Sequence, residues 1–505
     1  MIEHAERRAA NRLASQPYKS ELGNSRARGF SVWSSRRILL YALALCLMTL
    51  LPYTVAVGAD VARGQFPVGE SGAPIGGDLP SHLLGGRLLL QGDLHRLYDL
   101  EYQRQFWQEW LPGADFNPYV SPPFMAAFYA SLAAMPYGLA LTIWSAFTIA
   151  LIVVALCLLW PLIPNLHRFG RRTILGHLFV APPALYVLLG GQDSALSLCL
   201  LAGGLRLLLA GRSVAAGALL GLGVFKPQLI AVVPILLLAQ RRWRALGAWT
   251  AVAGTLTAVS MAMVGWEGVH DYAALPGSDF YRQAVVEGKG WEMQSVVAMA
   301  RIALPPVFDV AVTPLAVAIG LVAFWFLIRA GASVRLQPEA LPWAFGVALL
   351  AVPLMSPHLF IYDCLVLAIP VLVLLNAGFQ PRAVRSALLI AYLCLWTTPY
   401  RFFAVEDAKW PTTVLAAPWG LLAFVVLFAL MCREMLGAAP SQSSSSWLAT
   451  RHHIVSSINR DNCSRDLAEC AIYDQNNDSR ASVCKAIRHY NGLVAKKSDH
   501  RGKRA

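Results

Sequence analysis

PFMAAFYASLAAMPYGLALTIWSAFTIALIVVALCLLWPLI, residues 123–163, holds no charged residue. An α-helix rises about 1.5 Å per residue and a bilayer's hydrocarbon core is about 30 Å thick, so roughly 20 apolar residues make one crossing. This run is about twice that length. Pro136 interrupts it, because proline lacks a backbone N–H and clashes with the preceding turn. The stretch reads as an interfacial or partly embedded helix over 123–135, then a full span over 137–163.

The flanks assign the sides. Arg168, Arg171 and Arg172 follow the span, and short cytoplasmic connections are enriched in Lys and Arg. Basic connections recur at Arg206 and Arg212, at Arg241, Arg242 and Arg244, at Arg329 and Arg335, and at Arg382 and Arg385, with neutral or acidic connections between them. Threading the chain through this alternation gives further spans near 39–57, 174–189, 194–209, 246–264, 310–329, 341–355, 359–376, 386–404 and 411–431. Residues 213–239 begin and end beside inside arginines, so they read as a short hairpin turning at Lys226 and Pro227. The expected fold is an all-α polytopic membrane protein of about 12 membrane segments. It lies in the plasma membrane (a bacterial inner membrane), with both termini cytoplasmic. Residues 1–38 form a basic arm, 39–431 the membrane domain with helical outer loops at 58–121 and 265–309, and 432–505 a polar, disordered tail.

Composition agrees. The chain has 505 residues, 56% of them hydrophobic and only 14% charged, with no room for the polar surface of a soluble domain. The net charge of +13 resides in the arm and the inside connections, not in a patch interleaved with stacking aromatics, so nucleic acid is not an expected partner. The nine cysteines show neither a disulfide framework nor a zinc spacing.

Polar groups gather on the outer side. Gly76-Gly77-Asp78-Leu79-Pro80 opens an apolar helical pattern that ends at Gly92. Asp78 is either the N-cap of that helix or a carboxylate displayed beneath two glycines where a substrate can approach. His82 lies one turn on, on the same face. Gln192 and Asp193 occupy the turn Gly190-Gly191-Gln192-Asp193-Ser194, to solvate it or to serve a site. Lys226 stands on the cation-poor side and either snorkels to the interface or pairs with an anion. Asp363 falls inside an apolar run, which demands a partner, a wet cavity or a proton; a helical start near 358 brings His358 and Tyr362 close to it. HExxH, Walker and GxSxG patterns are missing. A site on this face has no access to cytoplasmic nucleotides.

In these segments the chain resembles glycosyltransferase family 87, polytopic enzymes of the GT-C fold that include polyprenol-phosphate-mannose-dependent mannosyltransferases. The carriers are Gly77-Asp78, Gly86-Arg87-Leu88-Leu89-Leu90-Gln91-Gly92, Leu97-Tyr98-Asp99 and Ser121-Pro122-Pro123-Phe124. They continue through Pro136-Tyr137, Trp144, Gly191-Gln192, Gly217 to Gly221, Phe225-Lys226-Pro227, Arg241-Arg242-Trp243-Arg244 and Ser356-Pro357. The mannosyltransferase branch tends to show Asn-Gln-Ser where Met293-Gln294-Ser295 stands, and a His-His pair near the place of Tyr362-Asp363. The resemblance implies a GT-C-like bundle and a hexosyltransferase using a polyprenyl-phosphate sugar, mannose foremost, with a lipid or glycan acceptor. It implies Asp78 as base. His82, Arg87, Gln192, Lys226, His358, Tyr362 and Asp363 are the expected substrate-binding residues, with Lys226, aided by His358 or Arg87, facing the leaving phosphate. No cofactor is expected; a divalent metal stays open. The rival reading is a transporter or flippase of a lipid-linked or anionic solute, although no internal repeat supports it.

Overall fold

The computed structural model describes residues 32–70, 72–281, 283, 289–377, 382–398, 401 and 410–437. Most of the basic arm and of the polar tail lies outside these. Helix makes up 80% of the structure, and no strand occurs among the described residues, so the all-α class holds.

Helix α1, Val32–Ala62, leads into a first long loop with helices of its own, α2, Leu79–Gln91, and α3, Leu100–Trp110. Next come α4, Pro123–Ala133, and α5, Tyr137–Leu159, divided at Pro136 as the sequence requires. Helices α6, Arg171–Phe179, and α7, Pro182–Leu189, precede α8, Ser194–Leu209. The hairpin consists of α9, Ser213–Gly221, a 3₁₀ turn Leu222–Phe225, and α10, Pro227–Ile230, running into α11, Val232–Ala239. Helix α12, Trp243–Ala274, enters the second long loop. That loop ends in α13, Val296–Ala303, followed by α14, Asp309–Ser333, and α15, Leu341–Met355. A 3₁₀ stretch Ile361–Leu367 continues as α16, Ala368–Asn376, and α17, Arg382–Trp396, and α18, Gly420–Gly437, complete the described chain.

Among the described residues, four helical stretches are long and apolar enough to cross a membrane, or up to six if each bent pair counts as one span. The expected count of about 12 is not met by full-length spans. The reason is local. The expected span 174–189 is two helices meeting at 66°, because Pro182 and Pro183 cannot continue α6. The segments 194–209, 213–225, 227–239, 361–376 and 384–396 are shorter apolar helices. Such helices survive at membrane depth when neighbours bury their ends. Here α9 packs on α12, α8 on α5, and α7 on the 3₁₀ stretch 361–367, around a core shared by α8, α11 and α15. The expected end of a span near 264 is a kink at Gly265 (φ +70°), and α12 runs on past it to pack on the first loop.

The first loop is folded rather than merely tethered. Fully buried Gln103 donates to the Leu97 (2.6 Å) and Tyr119 (3.2 Å) carbonyls and accepts from Tyr119 N–H (2.7 Å). Trp107, also fully buried, donates to Ala114 O. Helix α2 lies against α4, so the residues before α2 are held over the membrane helices.

Candidate active site

The site begins with two glycine turns. Gly77 has φ +60°, and a Cβ on it would come within 2.6 Å of Gly190 Cα. Gly191 also has φ +60°, and a Cβ there would meet Gly76 O at 2.5 Å. Only glycine tolerates both the left-handed backbone and this contact. The turns interlock through Asp78 N–H donating to Gly190 O (2.9 Å), and Trp144 Nε1 donates to Gly191 O (3.0 Å). The first loop is thus registered on the α7–α8 connection.

This docking turns the Asp78 side chain away from capping α2. Asp78 precedes α2 but makes no capping bond. Its Oδ1 accepts from Asn117 Nδ2 (2.8 Å) and Lys289 Nζ (3.1 Å), and its Oδ2 from Gln192 Nε2 in a short bond. Burial pushes this acid up. Lys289 and His82 nearby, with the bonds from Lys289 and Gln192, outweigh burial and hold it below the usual carboxylate range. Burial pushes Lys289 down, and Asp78 and Glu292 more than reverse that. Glu292 lies in the same second loop. Burial dominates there, Lys289 offsets part of it, and with Asp78 adding repulsion its pKa is pushed up to about 7.

Asp78, Gln192, Lys289, Glu292 and Tyr362 line one cavity of about 530 Å³. Its other walls include Leu50 and Tyr53 of α1, Leu185 and Leu189 of α7, and Leu395 and Trp396 of α17. The cavity therefore joins polar groups from the docked turns and the second loop to apolar walls from α1, α7 and α17.

Lys226 lies off this cavity's lining. Its Nζ stands 2.7 Å from Asp193 Oδ1 and 2.8 Å from Asp363 Oδ1, and donates to Ser194 Oγ (2.7 Å). Ser194 Oγ in turn donates to Asp363 Oδ1 (2.8 Å). The side chain is 10% exposed, so it does not snorkel. Asp363, wholly buried, has the partner that its position demanded. The turn after Gly191 thus serves two groups through successive residues: Gln192 reaches Asp78, while Asp193 and Ser194 reach Lys226. Tyr362 bridges the levels, on the cavity and with its ring centre 5.1 Å from Lys226 Nζ.

The other expected residues fall beside or away from this centre. His82 is buried and stacked on Tyr129 at 4.8 Å; it feels both Asp78 and Asp193, and burial pushes its pKa down. Its ring makes no hydrogen bond to the Asp78 carboxylate among the described residues; Asn117, Gln192 and Lys289 orient that carboxylate. Arg87 lies over the Trp110 ring at 4.3 Å. His358 faces Tyr281 edge-on at 6.2 Å. Neither lines the cavity. Two other acids of the first loop are structural: Asp99 caps α3 through Tyr102 N–H (3.0 Å), and Asp93 accepts from Tyr102 Oη (2.6 Å).

Sequence reading missed Lys289, Glu292 and Asn117. The visible signal was Lys289-Gly290-Trp291-Glu292, just before Met293-Gln294-Ser295. Nothing local ties those residues to Asp78. Asn117 reads as part of a proline-rich entry into the membrane, and its amide role appears only once the loop folds back.

A helical membrane protein with a part-polar, part-apolar cavity closed by two inter-helix loops is the class that fold and site define. The chain matches the model of glycosyltransferase family 87 over residues 119–357, a match that supports its membership of that family. It is accordingly a membrane glycosyltransferase, which sets the transporter reading aside. The matched segment contains Gln192, Lys226, Lys289 and Glu292, and Asp78 lies upstream of it. No curated protein and no solved structure matches the chain.

Proposed function

We propose that this glycosyltransferase moves a hexose, mannose foremost, from a polyprenyl-phosphate sugar to a lipid or glycan acceptor at the outer face of the plasma membrane, with a GT-C-like architecture. The observation that carries this reading is the cavity, whose apolar walls from α1, α7 and α17 suit a polyprenyl chain and whose polar groups suit a phosphate and a sugar. Such amphiphilic lining is what a lipid-linked donor needs and a nucleotide sugar does not.

Transfer is a single displacement. The acceptor hydroxyl gives its proton to Asp78, its oxygen attacks the anomeric carbon, and the bond from that carbon to the phosphate oxygen breaks with its electron pair going to phosphate. Gln192 and Asn117 aim the carboxylate. Lys289 is the cavity-lining cation among the described residues and meets the phosphate. Its ammonium is shared, so charge drawn toward a donor phosphate is withdrawn from Asp78, which becomes a better base once the donor is seated. Lys226, Asp193 and Asp363 act one layer below, fixing the turn that carries Gln192 and the ring of Tyr362; His82 packs beside them. Arg87 and His358 take no direct part.

The test is to incubate the purified protein with radiolabelled polyprenyl-phosphate mannose and membrane-lipid or glycan acceptors. Labelled product formed by the parent protein and lost in Asp78→Asn supports the reading. No product with this donor, by protein that is folded and monodisperse, overturns it.

A further inference from the structure

The second loop supplies a carboxyl that the displacement above leaves idle. Glu292 ends a 3₁₀ turn, Gly290–Glu292, and the backbone after it is pinned. Met293 bridges to Phe360, Gln294 N–H donates to Leu359 O (2.6 Å), and Ser295 Oγ donates to Pro357 O (2.9 Å) while capping α13. The side chain lines the same cavity as Asp78 and Lys289. Yet the two acids are treated oppositely. Asp78 receives three donors. Glu292 has no hydrogen-bond donor, and no cation within ion-pair distance, among the described residues. Around it stand Asp78 from the first loop, Lys289 from its own loop, Tyr186 from α7, Tyr362 from the 3₁₀ stretch and Tyr53 from α1. Of these only Lys289 carries positive charge, and Asp78 already engages it.

We propose that Glu292 is a general acid, handing its proton to the leaving phosphate as Asp78 takes one from the acceptor. The inference rests on the lipid-phosphate donor proposed above. Charge counting favours it. A phosphodiester brings one negative charge to a site that holds Asp78 and Lys289, and an ionised Glu292 would add repulsion that a protonated one does not. Departure then creates a second phosphate charge. In the balanced step, the anomeric carbon exchanges its phosphate oxygen for the acceptor oxygen, Asp78 gains the acceptor's proton, and Glu292 yields its own to a phosphate oxygen. Water returns both acids to their starting states. Two carboxyls whose environments drive their acidities apart are the usual sign of such a division of labour. A phosphomonoester takes up its second proton near pH 6, and an acid pushed up to about 7 is matched to it.

The experiment compares the parent protein, Glu292→Gln and Glu292→Asp. In the parent, the rate of transfer from polyprenyl-phosphate mannose should fall as pH rises through about 7, where Glu292 loses its proton. Glu292→Gln should lower the plateau by about 10²-fold or more and abolish that limb. Glu292→Asp should keep the limb at reduced rate. A Gln variant that retains the limb, or full activity, overturns the proposal. A second arm needs no turnover: binding of polyprenyl phosphate at pH 6 and pH 8. Parent affinity should weaken more than that of Glu292→Gln, the phosphate's own titration being common to both. If the parent forms no product, the donor assignment falls, and the binding arm still decides Glu292: identical pH responses overturn its role.

Discussion

Lys226→Met keeps a long apolar stem and deletes the charge beneath the site. In the native arrangement the ammonium lies 2.7 and 2.8 Å from Asp193 and Asp363, whose side chains are 3% and 0% exposed. Removing one partner of a buried ion pair typically costs about 3–5 kcal/mol, because the remaining charge is desolvated and unpaired. Here one lysine serves two acids, so the upper part of that range is expected. Equilibrium unfolding in mixed micelles should show it. Adding Asp193→Asn and Asp363→Asn should recover more than half of the loss, since neutral amides leave no buried charge behind. Turnover per folded molecule should fall less than the folded yield, as Gln192 and Tyr362 lose their support rather than their chemistry. A Lys226→Met protein as stable as the parent within about 1 kcal/mol, yet inactive, would refute this reasoning and return Lys226 to direct phosphate contact.

Asp78→Asn should cut transfer by about 10² or more with donor binding retained, and should cost less stability than Lys226→Met, because the Asp78–Lys289 pair that it breaks is 24% and 30% exposed; near-normal turnover would remove it as the base. Lys289→Met should raise the donor KM and lower kcat/KM, the loss shrinking for a donor analogue without the phosphate charge. Gly191→Ala should reduce both folded yield and activity, because its Cβ would overlap Gly76 O and strain a backbone at φ +60°. It can be read against Gly247→Ala, where a Cβ meets nothing within 4 Å. Cysteines placed at Glu101 and at Arg242 should differ in whole cells, the first reacting with an impermeant thiol reagent and the second not. Labelling at Arg242 would reverse the assigned sides. The corresponding outside position Glu287 lies outside the described residues.

Residues 123–163 by themselves settled that this chain is a helical membrane protein broken at Pro136, because hydropathy and proline act over a few residues. The Gly76–Gly92 pattern likewise located a helix with Asp78 at its start and Gly92 at its end. The doublet Pro182-Pro183 was legible too, but averaged hydropathy hid the bend that it causes. Asp78 as the candidate base came from a family motif rather than from the chemistry of its neighbours. Those neighbours are what tertiary structure alone decided. Asp78 meets Asn117, Gln192 and Lys289 across separations of 39, 114 and 211 residues, and Lys226 meets Asp363 across 137. Local sequence periodicity encodes which residues are apolar and where helices stop; it carries no record of which polar ends meet. That is set when two glycine turns, closer than any side chain would allow, bring the loops together and leave each buried charge to find its partner.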